Sequence, residues 1–408
     1  MMDVEFFAVF GPSNIRVHPL LNFLLSVVNA TIADTTTAMP VHSTHHGWLE
    51  NLHKRMVYIL IRPQLWFVDD TPFSGALIIP LLLLRLGELA LINSDLDISD
   101  VRSMCCRLRL DLSELRHRNG GLFGAGDSTG SIGVVTLNLP RLGYENKGDQ
   151  ASFYAALDKY LDIARDSLEI KRDWLQKEVI DAHMLPAYME YVGTINNHFS
   201  TIGVIGMNEM CENFMGKNIL DPEAKQFCVD VGNHIRARLL VYQEETGHLY
   251  NYEATPAEST CYRFALADRK IYPDIITQGS GLDCYYTNSC HIPVSMIDGI
   301  DSTFKHQEDL QTQFTGGTVI HVWEEGAITG EQAKAIVKAM CENYRVPYMS
   351  LSPISRYCDE HGYIPEKVDK CPYCKQRLKK YQRITGYLRC VDNFNRGKKA
   401  EFSDRVQL

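Results

Sequence analysis

The most distinctive chemistry-bearing residues form a candidate metal cluster near the carboxyl terminus. Cys358 and His361 lie three positions apart, and so do Cys371 and Cys374. A tight turn brings two side chains at this spacing onto one ion, and two such pairs supply the four ligands of a closed tetrahedral zinc site. Thiolate ligands favour zinc over magnesium or calcium. We therefore predict a structural zinc ion whose binding supplies folding energy to a short, loop-rich segment.

Two other features contain reactive residue types without specifying a reaction. Gly386 lies within the segment Arg383–Arg389, RITGYLR, where it predicts a turn or a close backbone approach. Cys105 and Cys106 are adjacent thiols, and such residues are more often small core residues than redox groups. Neither feature alone predicts a function.

The elements that must position these residues alternate between strand and helix patterns. The predicted strands are residues 131–139 and 199–207, and the predicted helices are residues 150–180 and 330–344. Asp149 and Thr329 are candidate N-caps of the two helices. Strands that alternate with helices are typical of an α/β barrel or a wound sheet.

Composition excludes several classes of protein. Of the 408 residues, 45% are hydrophobic and 22% are charged, which is typical of a globular protein and not of a disordered or fibrous chain. The net charge of -9 argues against direct binding of nucleic acid. The longest apolar run, residues 76–84, is far shorter than the ~20 residues of a membrane span, and residues 1–5 lack the basic group of a secretory signal. We expect a cytoplasmic protein without a membrane segment, whose twelve cysteines are metal ligands, redox thiols or core residues.

Several short motifs occur in one order along the chain. They are Ser103–Leu108 (SMCCRL), Gly133–Arg141 (GVVTLNLPR), Thr255–Ser259 (TPAES), Tyr286–Ser289 (YTNS), Phe314–Thr318 (FTGGT), Asn395–Lys398 (NRGK) and Glu401–Arg405 (EFSDR). Together with RITGYLR directly behind a Cys/His cluster, they resemble the anaerobic (class III) ribonucleoside-triphosphate reductases over roughly residues 92–408. The resemblance implies a (partial) ten-stranded α/β barrel at residues 92–350 and a zinc-binding, glycyl-radical domain at residues 351–408. Residues 1–91 form an atypical region that does not match the family.

The resemblance also implies the radical chemistry. Gly386 would carry a stable radical, which requires glycine because a side chain would crowd the planar, delocalised centre. Cys106, next to Cys105, would be the thiyl residue that takes a hydrogen from the ribose. The implied partners are a radical-SAM iron–sulfur activating enzyme, nucleoside triphosphate effectors (ATP or dNTP) and a second copy of the chain in a homodimer.

The family's substrate loops correspond to two motifs of this chain. The resemblance assigns phosphate binding to Thr255, Pro256, Ala257 and Ser259 of the first loop and to Thr287, Asn288 and Ser289 of the second. Their hydroxyls, amides and backbone N–H groups suit phosphate, although ordinary turn chemistry explains the same residues equally well. Glu253 and Glu258 are alternative candidates for the carboxylate that moves protons as the 2′-hydroxyl leaves.

The reductant is predicted from one departure from the family pattern. Formate-using members have an asparagine at the start of the GVVTLNLP strand, where this chain has Ser131. The resemblance also implies that Ser131 is a substrate-binding residue. Cys284 and Cys290 flank the YTNS motif. Both features favour a thiol-dependent enzyme served by a thioredoxin-like or glutaredoxin-like protein over a formate-dependent one.

Two other functions stay open at this point. One is a different glycyl radical enzyme of the formate-lyase type, although that type lacks the zinc cluster and the two substrate loops. The other is a zinc-ribbon binding module whose basic segment, residues 375–383, contacts nucleic acid, although the acidic net charge opposes it. Since only about a hundred residues precede Cys106, we expect a truncated reductase; alternatively, residues 1–91 supply substitute strands or dock on a partner.

Overall fold

In a computed structural model of the chain, the described residues are 129–326 and 328–407, preceded by the backbone of four short strands. The strands are β1 (Met56–Leu60), β2 (Leu89–Asn93), β3 (Val101–Met104), β4 (Leu108–Asp111), β5 (Gly130–Asn138), β6 (His198–Ile205), β7 (Leu249–Ala254), β8 (Ile320–Glu324), β9 (Tyr348–Pro353), β10 (Ser355–Cys358), β11 (Gly362–Ile364), β12 (Lys379–Arg383) and β13 (Leu388–Cys390). The α-helices are α1 (Leu139–Glu145), α2 (Gln150–Leu175), α3 (Pro186–Val192), α4 (Met207–Met215), α5 (Pro222–Thr246), α6 (Thr260–Ile271), α7 (Ile300–Gln311), α8 (Gly330–Asn343) and α9 (Arg396–Asp404). This mixed architecture confirms the α/β class.

The centre of the fold is a parallel sheet in the order β5-β6-β7. Strands β5 and β6 confirm both strand predictions to within two residues. Helix α2 confirms the first helix, and Asp149 caps it by accepting a hydrogen bond from the Ser152 amide at 3.0 Å. A π-helical turn, Gln176–Ile180, extends it to the predicted end.

One face of this sheet is covered by α2, α4 and α5. Leu157 and Leu161 of α2 are fully buried in the same apolar cluster as Ile202 and Val204 of β6. Burial of these side chains supplies the main stabilisation, at about 1.5–3 kcal/mol for each large apolar residue. The helices thereby fix the sheet from one side.

The opposite face of the sheet is polar. The register aligns Thr136 with Gly203, and Gly203 with Glu253, so these residues share that face. Thr201 belongs to the same face and donates to Asn251 Oδ1 at 2.7 Å. Hydroxyl, amide and carboxylate groups thus line the side of the sheet that the three helices do not cover.

A second sheet has the order β1-β2-β9-β8. Its strands β8 and β9 are parallel, and β1, β2 and β9 are antiparallel neighbours. Helix α8 packs against β8 and β9 and confirms the prediction for residues 330–344. Thr329 and Gln332 form its capping box.

The carboxyl-terminal part contains an antiparallel sheet in the order β11-β10-β12-β13. Nearer the amino terminus, β3 and β4 form an antiparallel pair from Val101↔Asp111 to Met104↔Leu108. Among the helices of the described part, none is long and apolar enough to cross a membrane. The closed ten-stranded barrel stays a prediction.

Candidate active site

The four predicted metal ligands come together at one end of the antiparallel sheet. One ligand atom from each of Cys358, His361, Cys371 and Cys374 lies within 4.8 Å of the others. Cys358 Sγ lies 3.5 Å from Cys374 Sγ and 3.6 Å from His361 Nδ1. A tetrahedral zinc with the usual bond lengths requires S–S and S–N separations of about 3.8 and 3.5 Å. Both the donor set and its geometry therefore fit zinc.

The metal cluster and the Gly386 segment belong to one sheet. Cys358 ends β10, and β10 pairs with β12, whose last residue is Arg383. Strand β12 then pairs with β13 in a hairpin. An ion that orders the cluster would therefore also order β12 and β13, the two strands on either side of Gly386.

Gly386 lies at the tip of the β12–β13 hairpin. The Ile384 amide donates to the carbonyl oxygen of Tyr387 at 3.0 Å and closes the turn. Arg383 Nη1 donates to the carbonyl oxygen of Gly386 at 2.7 Å. Gly386 itself is half-buried, whereas Tyr387 is exposed. The turn predicted from sequence is thus confirmed, with its glycine held from inside the hairpin.

The hairpin borders a small cavity that also borders both candidate substrate loops. Its wall includes Thr385 from the hairpin, Thr255 and Pro256 from the TPAES loop, and Asn288 and Ser289 from the YTNS turn. Gly317 of the FTGGT segment lies between them, with φ at +76°, where a side chain would collide with Ala254 and Glu253. Four of the motifs named from sequence therefore meet at one cavity.

The remaining TPAES residues lie at the start of α6. Ala257 is buried, and its amide donates to the carbonyl oxygen of Thr255 at 2.8 Å. Ser259 is exposed and directly precedes the first turn of the helix. Thr255 Oγ1 lies 3.2 Å from Thr136 Oγ1 across the polar face of the sheet. The loop therefore joins that face to a helix amino terminus, which is a suitable place for an anion.

The YTNS turn is held by the residues that follow β6. The Gly206 amide donates to the Thr287 carbonyl at 3.0 Å, and the Met207 amide donates to the Ser289 carbonyl at 2.9 Å. Ser289 adopts a left-handed conformation with φ at +42°. The turn is thereby fastened to the carboxyl edge of the parallel sheet.

A buried carboxylate that sequence analysis missed supports the same turn. Glu209 accepts hydrogen bonds from the Thr287 amide at 3.0 Å, from Thr287 Oγ1 at 2.6 Å and from Gln278 Nε2 at 2.9 Å. Burial raises the pKa of Glu209, although the hydrogen bonds from Thr287 oppose that effect. The spacing of Glu209 from the YTNS motif gives no sequence signal, since the contact forms only through the fold.

The two candidate acid–base carboxylates differ in environment. Glu253 is buried at the end of β7, on the polar face, beside the backbone of Gly316. Glu258 is partly exposed and pairs with Arg389 Nη1 at 3.2 Å. Glu253 thus lies on the polar face beside Gly317, which lines the cavity, and Glu258 joins the TPAES loop to β13.

The thiols considered for the redox chemistry form two pairs along the chain. Cys105 and Cys106 lie between β3 and β4, outside the described residues. Cys284 and Cys290 are buried in different apolar clusters, and burial raises the pKa of Cys290 to about 12. A thiol so strongly protonated is a poor nucleophile at neutral pH.

A further thiol contact was not predicted from sequence. Cys211 Sγ and Cys228 Sγ lie 3.3 Å apart in the core between α4 and α5. Both side chains are fully buried. They are core residues of the described part, and their spacing in the sequence does not predict the contact.

Ser131 lies away from the cavity. It is exposed near the amino end of β5, in register with Phe199. The register places it on the same face as Thr136, about 16 Å along the strand. The structure therefore puts Ser131 on the polar face without bringing it to the two loops.

This fold and site define an α/β protein in which a glycine-tipped hairpin shares a sheet with a Cys/His cluster that could hold a metal ion. The family model of the anaerobic ribonucleoside-triphosphate reductases matches residues 79–408. The chain belongs to this family. The match begins earlier than the boundary expected at residue 92.

Curated relatives show the same similarity over part of their length. The anaerobic ribonucleoside-triphosphate reductase of Escherichia coli (strain K12) is 28% identical over 313 residues, which are 69% of this chain and 43% of the relative. The enzyme of Enterobacteria phage T4 is 26% identical over 319 residues, which are 69% of this chain and 49% of the relative. The chain thus spans less than half the length of these relatives.

Solved structures give the same result. The Thermotoga maritima anaerobic ribonucleotide reductase with dATP bound in the specificity site has a TM-score of 0.56 at 26% identity, covering 65% of this chain and 44% of that one. The same enzyme in complex with dATP and CTP has a TM-score of 0.57 at 25% identity, covering 67% and 45%. The fold is therefore that of anaerobic ribonucleotide reductases.

Proposed function

We propose that this chain forms the catalytic core of an anaerobic reductase that converts ribonucleoside triphosphates to 2′-deoxyribonucleoside triphosphates. The observation that carries the proposal is the cavity shared by Thr385, Thr255 and Asn288. It brings the glycine hairpin to the two loops expected to hold a nucleotide. Family membership favours this function over a formate-lyase type enzyme and over a zinc-ribbon binding module.

The radical roles belong to Gly386 and Cys106. A radical-SAM iron–sulfur activating enzyme would remove one Cα hydrogen from Gly386. Cys106 would then give its thiol hydrogen to the glycyl radical, and the thiyl would take a hydrogen from the ribose. Cys105, its neighbour, is a candidate member of the reducing pair.

Zinc has a structural role in this proposal. Cys358, His361, Cys371 and Cys374 would hold it with no open coordination position, so it supplies no catalysis. Binding would order β10 and, through it, the Gly386 hairpin. Residues 351–408 would thus act as one metal-dependent domain beside a barrel domain that ends near residue 350 and begins by residue 79, where the family match starts, rather than at residue 92.

Substrate would bind between the TPAES loop and the YTNS turn. Backbone N–H groups and the hydroxyls of Thr255, Ser259 and Ser289 are suited to the phosphates. Thr287 instead donates to Glu209 and would hold the turn in place. Glu253 is the better candidate for the proton-moving carboxylate, because it is buried on the polar face, whereas Glu258 is paired with Arg389.

The reductant is inferred from Ser131, and the effectors and the assembly are inferred from the resemblance to the family. Ser131 favours a thioredoxin-like or glutaredoxin-like reductant that reduces a cysteine pair once per turnover, which supplies the two electrons. ATP and dNTP would act as effectors, since a Thermotoga maritima relative has dATP in its specificity site. A homodimer and a closed ten-stranded barrel are part of the same proposal.

The test is electron paramagnetic resonance of the 408-residue chain after anaerobic activation by a radical-SAM activating enzyme and S-adenosylmethionine. We expect a glycyl doublet that is lost in Gly386→Ala and retained in Gly326→Ala, where an added methyl group meets only the flexible side chain of Lys367. Ribonucleoside triphosphate reduction is then assayed with thioredoxin or formate. A doublet absent from the folded wild type would refute the radical role, and formate-driven turnover would refute the thiol reductant.

A further inference from the structure

The buried charges after β13 are arranged around the hairpin that carries Gly386. Arg405 follows α9, and its side chain is fully buried. Its Nη1 donates to Gln382 Oε1 at 2.9 Å and to the Arg383 carbonyl at 3.0 Å, and its Nη2 donates to the Ile384 carbonyl at 3.1 Å. One guanidinium thus holds three consecutive residues on the entry to the turn.

The charge of Arg405 is compensated inside the protein. Glu401 Oε1 accepts from Arg405 Nη2 at 2.9 Å, and Glu401 Oε2 pairs with Lys398. Burial opposes the ionisation of Glu401, but the two cations outweigh it and lower its pKa. A buried pair of this kind is strongly destabilised when one partner is removed, so its members hold each other in place.

An aromatic column fixes the plane of the guanidinium. Arg405 Cζ lies 3.7 Å from the centroid of the Trp323 ring, and Trp323 stacks on His321 at 4.4 Å. His321 in turn lines the cavity that borders Thr385. A planar guanidinium suits this position, because it stacks on the ring while its edge donates to the hairpin carbonyls.

The other end of the charge network reaches the YTNS turn. With its amide oxygen toward Lys398, Asn288 accepts from Lys398 Nζ at 2.9 Å and donates to the Ala257 carbonyl at 3.0 Å. This orientation satisfies both ends of the Asn288 amide. A continuous chain of buried polar contacts therefore runs from the substrate loops to the glycine hairpin.

We propose that Arg405 is a positioning residue for the Gly386 hairpin, and that the buried Lys398–Glu401–Arg405 network ties this hairpin to the Asn288 turn. The inference rests on the proposed radical function, because hydrogen transfer at Gly386 requires the hairpin to keep a fixed place beside the cavity. Lysine at position 405 could supply the charge but not the planar fork.

The test is hydrogen–deuterium exchange of the full chain, read by mass spectrometry. In Arg405→Gln we expect the amides of residues 384–388 to exchange at least tenfold faster, with an intermediate increase in Arg405→Lys. Arg396→Gln is the matched control, since Arg396 is exposed at the start of α9, the helix that precedes Arg405, and pairs with Asp283. Unchanged hairpin exchange in folded Arg405 variants would overturn the proposal.

Two further variants keep the proposal testable if the Arg405 variants do not fold. Trp323→Phe retains an aromatic face but shortens the stack, and we expect about threefold faster hairpin exchange. Lys398→Met removes the link to Asn288, and we expect faster exchange at residues 286–289 as well as in the hairpin. Hairpin exchange that stays at the wild-type rate in Trp323→Phe would contradict the positioning role. Unchanged exchange at residues 286–289 in Lys398→Met would contradict the link between the charge network and the Asn288 turn.

The exchange measurement needs neither activating enzyme nor nucleotide, so it separates this inference from the proposed function. A wild-type chain that forms no radical would refute the proposed function alone. With the activating enzyme, we expect the radical yield of Arg405→Gln to fall at least fivefold, with partial rescue in Arg405→Lys. Faster hairpin exchange with an unchanged radical yield would show that Arg405 is merely structural.

Discussion

The Arg383 guanidinium donates a hydrogen bond to the carbonyl oxygen of Gly386 across the hairpin, at 2.7 Å. A cationic donor at this carbonyl holds the peptide plane of Gly386 and polarises it. A radical at the Gly386 Cα atom is delocalised over the neighbouring amide and carbonyl groups, so the orientation and polarity of this plane matter to its stability. Arg383 would therefore stabilise the proposed radical at Gly386 in addition to the turn.

We expect Arg383→Gln to lower the yield of glycyl radical several-fold while the chain stays folded. A hydrogen bond from a charged donor contributes about 1.5–3 kcal/mol, and glutamine replaces it with a shorter, neutral donor. Spin quantitation after activation measures the effect. Arg377→Gln is the control, because Arg377 is exposed and pairs with Asp392 on the surface. Equal spin in the two variants would contradict the prediction.

Metal removal should disorder the hairpin. We expect one zinc per chain by elemental analysis, and its loss in Cys374→Ser should make residues 379–390 sensitive to protease, because β10 then no longer holds β12. Cys341→Ala, a buried cysteine of another cluster, should retain zinc and hairpin protection. A folded wild-type chain without zinc would contradict the assignment of the four ligands.

Air should cut the activated chain at Gly386. A glycyl radical reacts with oxygen and breaks the backbone, which would release residues 387–408, a fragment of 22 residues (408 − 387 + 1). The half-buried Gly386 and the exposed Tyr387 make this hairpin tip accessible. Mass spectrometry should find the fragment only after activation. Cleavage at another glycine would show that the radical does not lie at Gly386.

Local patterns allowed much of this architecture to be predicted. Strand β5, helix α8 and the Thr329 cap follow from periodicity and capping chemistry, which act over a few residues. The metal cluster was predicted because a zinc site imposes its spacing on the sequence. The turn at Gly386 was predicted because glycine adopts the backbone conformations that tight turns require.

Long-range contacts could not be predicted in the same way. Glu209 reaches Thr287 across 78 residues, and Arg405 reaches Arg383 across 22. No periodicity encodes such a pairing, because it depends on how sheets and helices pack. The choice between Glu253 and Glu258 also required the fold, since the two carboxylates differ in burial and in the pairing of Glu258 with Arg389.

A pair of neighbouring carboxylates in α4 makes the stability of the fold depend on pH. Asn208 Nδ2 donates to Glu209 Oε1 at 3.1 Å and to Glu212 Oε2 at 3.0 Å. Burial, and then the charge of Glu209, raise the pKa of Glu212 to about 7. In the unfolded chain Glu212 titrates near the ordinary value of about 4.3. The native state therefore binds this proton more tightly than the unfolded state does.

The sign of the pH effect follows from that difference. The stabilisation from protonated Glu212 is complete below its unfolded pKa and is lost as the pH rises through about 7, so the free energy of unfolding should fall between pH 5 and pH 8. We expect this loss to be about 1–2 kcal/mol, because partial solvation screens the group. Glu212→Gln, which still accepts from Asn208, should reduce the loss in urea unfolding, whereas exposed Glu244→Gln should retain it in full. A pH dependence that is the same in Glu212→Gln as in the wild type would show that another group is responsible.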